Sequence, residues 1–213
     1  MNRIFEQCNS IKELNLSHFE LENVKEIIQA FTSCGNLETL DFSNFNVPKL
    51  ESMERIFWNC VSLKYLNINI NNTNKLTKVE NAFDNCKSLT SIDLTFMDFT
   101  GIKSTSYLFS HCESLTNVSL PNLKNIEKTN YMFTGCLKLT SINLHFMEDS
   151  YYLQSTEGMF QNCYSLNEIK FPYVFAKKLT KTNNMFNSCT NIKTIDLTYF
   201  YTEDLNDISM MFS

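Results

Sequence analysis

The chain has 213 residues, of which 43% are apolar and 13% aromatic, which is ample for a packed core. Its formal net charge is -5 and it has no long run of Lys or Arg, so we expect no nucleic-acid partner. No segment approaches roughly 18 uninterrupted apolar residues, so we expect no membrane span within this chain. Residues 1–8 also lack the apolar run of a signal peptide.

The cysteines recur at a nearly fixed spacing. Successive gaps are 26, 26, 26, 26, 24, 27 and 26 residues, and a phenylalanine stands three positions before each cysteine. The cysteines are Cys8, Cys34, Cys60, Cys86, Cys112, Cys136, Cys163 and Cys189. Such a period is the signature of a repeat architecture, in which each unit forms one coil.

The residues around each cysteine predict the elements of one coil. Ahead of the cysteine, apolar residues such as Ile27, Ala30, Phe31 and Cys34 are spaced 0, 3, 4 and 7, which predicts a short helix. Apolar residues also follow each cysteine at three, six and eight positions, and the last two alternate around a polar residue as in a strand. In later coils a threonine opens the stripe, and we expect it to cap a shorter helix. These threonines are Thr105, Thr129, Thr156 and Thr182.

We therefore expect an α/β solenoid over residues 1–213, with one short parallel strand and one short helix per coil of ~26 residues. It would have about eight coils, with incomplete units at both ends, and such uncapped ends would favour self-association. The predicted core ladder consists of Phe31, Phe57, Phe83, Phe109, Phe133, Phe160 and Phe186 together with Cys34, Cys60, Cys86, Cys112, Cys136, Cys163 and Cys189.

The repeat resembles that of the BspA-like leucine-rich-repeat surface proteins, in the version found in Mycoplasma lipoproteins and in Listeria and Bacteroides surface proteins. The unit of that family reads approximately M-F-x-x-C-x-S-L-x-x-L-D-L-S-x-F. The matching segments include residues 82–95 and 185–200, and the resemblance covers essentially the whole chain. It implies a solenoid displayed on a cell surface and used for adhesion, without catalytic residues.

The cysteines could in principle serve as zinc ligands, disulfides or nucleophiles. Each coil supplies only one cysteine, on the inner stripe, so buried thiols are favoured over zinc or disulfides, and we expect all eight to react only after unfolding. The three histidines, His18, His111 and His145, lie at different phases of the repeat. We expect no catalytic residues, metal or cofactor, so the chain is predicted not to be an enzyme.

Candidate binding residues lie on the outward strand positions and just beyond the strands. Ten residues after the cysteine, the C-terminal half carries an aromatic row, which either points outward or is tucked under the next loop. Asp93 belongs to a column of polar residues that could form a hydrogen-bonded ladder along the sheet or bind a ligand. The candidates are Tyr65, Asp93, Phe96, Phe146, Tyr173 and Tyr199.

Two functions fit these features. The first is a recognition or adhesion module at the cell surface or secreted, as the resemblance implies, with a protein or a surface glycan as partner. The second is a cytoplasmic protein-interaction scaffold, which the missing signal peptide and reduced cysteines favour. A hydrolase built on the aspartates is a distant third.

Overall fold

The computed structural model describes residues 1–16, 19–42, 45–68, 70 and 72–213. Within them the chain winds through stacked coils, each beginning a new turn about 26 residues after the last. The strands are β1 (Glu13–Leu14), β2 (Thr39–Asp41), β3 (Tyr65–Asn67), β4 (Ser91–Asp93), β5 (Asn117–Ser119), β6 (Glu168–Lys170), β7 (Val174–Phe175), β8 (Thr194–Asp196) and β9 (Phe200–Tyr201).

All strand pairs are parallel and join equivalent positions of different coils. Leu40 of β2, for example, is in register with Leu66 of β3. The strands form four small sheets in the orders β1-β2-β3, β4-β5, β6-β8 and β7-β9. A leucine-rich-repeat-type β-solenoid is therefore confirmed.

The predicted helix in each coil is wrong. Within the described residues, the only helical element is a short 3-10 helix, His145–Met147. The apolar stripe instead follows a series of turns in which Gln29 and Ser33 have positive φ angles of 55° and 58°. The Gln29 N–H donates to the Glu54 carbonyl of the next coil at 3.0 Å. The backbone thus bonds between coils where an α-helix would bond within itself, although both conformations bury the same apolar positions.

The threonines are also not helix caps. Each of the four is fully buried, and its hydroxyl lies 3.4–3.5 Å from the sulfur of a methionine in the next coil. The hydroxyl of Thr156, for instance, donates to Met185 Sδ. These residues connect neighbouring coils inside the core.

The core is a stack of in-register columns. Neighbouring phenylalanine rings of the column from Phe5 to Phe212 lie 5.2–5.8 Å apart and are tilted by only 4–16°. The cysteines from Cys34 to Cys189 lie beside this column and are buried, whereas Cys8 is only partly covered. Each coil therefore buries its apolar face against its neighbours.

Candidate functional site

Three of the predicted binding residues line one groove. Tyr65, Asp93 and Phe96 surround a depression between β3 and β4, at the boundary between two of the small sheets. The aromatic side chains are well exposed, Tyr65 at 58% and Phe96 at 56%. Tyr65 also lines a second depression over β1 and β2. This set of residues, with Lys64 and Ser91, is the β3–β4 groove.

Strand alternation positions the groove residues. On β3 the buried Leu66 anchors the strand, so the preceding Tyr65 projects outward. On β4 the buried Ile92 has the same role for Asp93. The Asp93 carboxylate accepts hydrogen bonds from the Thr95 N–H at 2.9 Å and the Thr95 hydroxyl at 2.7 Å. It thereby fixes the turn that carries Phe96 into the groove.

One role expected for the column of Asp93 is a ladder of hydrogen bonds along the sheet, from coil to coil. Asp93 and Asp196 each bond to the residue two positions later in their own coil, with the Thr198 N–H 2.9 Å from the Asp196 carboxylate. Threonine hydrogen bonds lower the pKa of Asp196, so it is a stable carboxylate at neutral pH. Both aspartates therefore hold turns at the strand exits.

One edge of the groove carries a paired charge. Lys64 Nζ lies 2.8 Å from Glu38 Oε2, and this lysine lowers the pKa of Glu38 by hydrogen bonding and by its charge. The ion pair joins adjacent coils and is solvent exposed, so it orients side chains more than it stabilises the fold. The groove thus combines two exposed aromatic rings with fixed polar groups, as interfaces for macromolecules do.

A second exposed aromatic surface lies near the C-terminal coils. The expected residues Tyr173 and Tyr199 are both 47% exposed. Tyr173 belongs to a cluster with three residues that the sequence analysis missed, Tyr151, Phe175 and Tyr201, and we refer to these four as the aromatic platform. The missed signal is the alternation around β7, where the buried Val174 and Ala176 flank Phe175 and the exposed Tyr173 precedes Val174.

Phe146 does not belong to either surface, so the sequence expectation fails at this position. Its side chain is only 4% exposed and its ring centroid lies 6.4 Å from that of Phe133 in the core. Phe146 is buried because its segment forms the 3-10 helix instead of a strand exit. The cysteine spacing is also irregular here, shorter before Cys136 and longer after it. The aromatic row is therefore interrupted.

The described residues contain neither a cluster of metal-ligating side chains nor a helix that could span a membrane. All eight cysteines are free thiols, and in the described ranges no three His, Cys, Asp or Glu side chains converge as a metal site requires. Burial raises the pKa of Cys34 and Cys189 to about 11 and that of Cys86 well above its usual value. Across the same residues, no helix has the length and apolarity needed to cross a membrane.

The comparisons with known families agree with this architecture. The model of the BspA type leucine rich repeat region matches residues 79–206 in six copies. A family described as a Mycoplasma protein of unknown function matches residues 1–95. The first match covers more than half of the chain, so the chain belongs to the BspA-type leucine-rich repeat family. No curated protein matches the chain.

The chain is also similar to solved structures of bacterial leucine-rich repeat proteins. The leucine-rich repeat protein of T. pallidum is 20% identical, and the alignment covers 91% of this chain and 85% of that one with a TM-score of 0.59. A leucine rich cell surface protein of Faecalibacterium prausnitzii is 16% identical over 82% of this chain and 77% of that one, with a TM-score of 0.39. A leucine-rich repeat protein of Bacteroides ovatus is 17% identical over 98% and 77%, with a TM-score of 0.31. The T. pallidum structure therefore shows the same fold as this chain.

Proposed function

We propose that the protein is a non-enzymatic recognition module of the cell surface, and that its β3–β4 groove contacts a protein partner. The observation that carries this proposal is the meeting of Tyr65, Asp93 and Phe96 from two coils in one groove. Two aromatic rings more than half exposed in one groove form an apolar patch of the kind that marks interaction sites. The family supports a location at the surface, because BspA-type and Mycoplasma repeat proteins are surface-associated.

The groove suits a protein partner for a specific physical reason. Tyrosine and phenylalanine bury large areas on binding with little loss of side-chain entropy, so they are common energetic anchors of interfaces. The bonds from Thr95 to Asp93 order the turn that carries Phe96 before any partner arrives. Because the turn is already ordered, binding a partner costs little conformational entropy.

The binding test uses labelled protein and intact cells. The double variant Tyr65→Ala/Phe96→Ala should bind cells at least about tenfold more weakly than the parent chain, because two anchors are lost. The matched control is Tyr164→Ala, which removes a tyrosine that is 44% exposed but does not line the groove. Equal binding by the groove variant and the parent would contradict the proposal.

A second candidate is an intracellular scaffold, favoured by the eight free thiols, since reducing compartments preserve unpaired cysteines. Antibody labelling of intact and permeabilised cells separates the two candidates. Labelling of intact cells supports display at the surface. Labelling that requires permeabilisation supports the intracellular scaffold and contradicts a role at the cell surface.

A further inference from the structure

The aromatic platform is separate from the β3–β4 groove and has its own geometry. Its ring centroids are 5.4 Å apart for Tyr173 and Tyr201, 5.9 Å for Tyr151 and Phe175, and 6.3 Å for Phe175 and Tyr201. Tyr173 and Phe175 are nearly parallel, at 9° with centroids 6.4 Å apart. Tyr151, Tyr173 and Tyr201 are between 44% and 49% exposed. Three successive coils therefore combine to present one aromatic surface.

The backbone holds these rings in place. Phe175 of β7 is in register with Tyr201 of β9, and the Ala176 N–H donates to the Tyr201 carbonyl at 2.9 Å. The Asp149 N–H donates to the Tyr173 carbonyl at 3.2 Å, which attaches the coil that carries Tyr151. A surface fixed by strand pairing is preorganised for a rigid ligand.

Polar and charged groups border the rings. Lys177 Nζ lies 5.0 Å from the Phe175 ring centroid and 2.8 Å from Glu203 Oε1. The Tyr151 hydroxyl donates to Asp149 Oδ1 at 3.2 Å, and the charge of Asp149 raises the pKa of Tyr151, so this hydroxyl keeps its proton. These charged groups are paired with partners, so the platform offers hydrogen bonds without a strong net field for a charged ligand.

The area and the charged border of the platform suit a small polar ligand. An aromatic residue presents about 150–250 Å², and slightly less than half of each tyrosine is exposed, so the platform offers on the order of 300 Å². A stable protein interface has few charges at its centre. Here Lys177 lies directly over a ring. A small ligand rich in hydroxyl groups needs no more than the area of the platform, and its hydroxyl groups can bond to the charged border.

We propose that the aromatic platform binds a neutral oligosaccharide. The C–H faces of sugar rings carry positive hydrogens that pack on the negative faces of the exposed Tyr173 and Tyr201. The sugar hydroxyls bond to Lys177, Glu203 and the tyrosine hydroxyls at the border of the platform. Because the rings come from three coils, a chain of several sugars can contact more than one ring.

Calorimetric titration with neutral tetrasaccharides of glucose, mannose and N-acetylglucosamine, in several linkages, tests this site. At least one should bind with a Kd on the order of 1 mM or tighter, and Tyr173→Ala/Tyr201→Ala should weaken it by at least about tenfold. Tyr164→Ala, an exposed tyrosine of another surface, should bind like the parent. Tyr151→Ala gives a second platform variant that leaves the β7–β9 pairing intact, in case the double variant does not fold.

Several results overturn the proposal. One is that no tetrasaccharide binds at roughly 10 mM. Another is that a sugar binds equally well to the parent and to the folded platform variants. A third is that the platform variants lose a protein partner while no sugar binds the parent, which would make the platform a protein-docking surface. Loss of sugar binding in the groove variant Tyr65→Ala/Phe96→Ala alone would move the sugar site to the groove and would make a glycan, not a protein, the partner of that surface.

Discussion

The thiol of Cys86 donates a hydrogen bond to the backbone carbonyl of Phe57, 3.2 Å away in the preceding coil. The same carbonyl also accepts the N–H of Cys60 at 3.1 Å. Every cysteine from Cys34 to Cys189 repeats the thiol bond, with sulfur–oxygen distances of 2.9–3.3 Å. Each thiol of the cysteine column therefore adds a second hydrogen bond to a backbone carbonyl in addition to filling space, which explains why a thiol is well suited to this position.

The first prediction concerns thiol reactivity. Only the thiolate reacts readily, and a thiol with a pKa of about 11, such as Cys189, is about one part in a thousand ionised at pH 8. Titration with a thiol reagent should therefore detect one fast thiol, the partly exposed Cys8, and all eight after unfolding. This corrects the sequence expectation, in which all eight were protected. Cys8→Ser should abolish the fast phase, and several fast thiols in the folded protein would contradict the buried column.

The second prediction concerns the phenylalanine column. The Phe109 ring stacks at 5.4 Å on Phe83 and at 5.6 Å on Phe133, so Phe109→Ala leaves a cavity in the middle of the stack. It should reduce the free energy of unfolding by ~3–5 kcal/mol in urea titrations. Phe96→Ala, which removes a ring that is 56% exposed, is the control and should cost far less. Equal stability of the two variants would mean that the phenylalanine column does not stabilise the fold.

The columns could be predicted from sequence because burial repeats with the coil, as it does for Phe109 and Cys112. The absence of an α-helix from the described residues could not, because a 0, 3, 4, 7 spacing of apolar residues is compatible with turns as well as with a helix. A usable signal was present in Asn59 and Asn85, since asparagine is enriched where φ is positive.

The candidate site was only partly predictable, for a related reason. Outward positions such as Tyr65 follow from strand alternation. The boundary between β3 and β4, which creates the groove, depends on pairing between particular coils that an averaged repeat does not encode. The burial of Phe146 and the pairing of Phe175 with Tyr201 likewise follow from irregular coil lengths and from a strand pair outside the shared pattern.

The third prediction distinguishes turns from helix at Asn162, whose φ angle is 60°. Glycine adopts this conformation freely, whereas a β-branched residue is strained there, so Asn162→Val should be less stable than Asn162→Gly by about 1–2 kcal/mol. In a helix the order reverses, because glycine is the poorer helix former by a few tenths of a kcal/mol. Urea denaturation shows which of the two variants is more stable. A more stable valine variant would mean that Asn162 lies in a helix.

The fourth prediction is a pH dependence at Asp84. Its carboxylate is half-buried, and burial raises its pKa above the ordinary value of 3.8, although hydrogen bonding from Ser110 and the nearby His111 charge oppose this shift. A raised pKa means that the folded state binds the proton more tightly than the unfolded state. Its contribution to stability is therefore present below pH 3.8 and is lost as the pH rises through the folded pKa. Asp84→Asn removes the charge, so its stability relative to the parent should increase with rising pH.

Asp98→Asn is the matched control because the sign there is opposite. Hydrogen bonds from the Thr100 hydroxyl and N–H lower the pKa of Asp98, so its carboxylate stabilises the fold above pH 3.8 and loses that effect on acidification. Urea titrations at about pH 3 and about pH 7 should thus show Asp84→Asn gaining and Asp98→Asn losing stability relative to the parent as the pH rises. If both variants shift in the same direction, the carboxylate of Asp84 is solvated in the folded protein and does not lie in the half-buried position between Trp58 and Ser110.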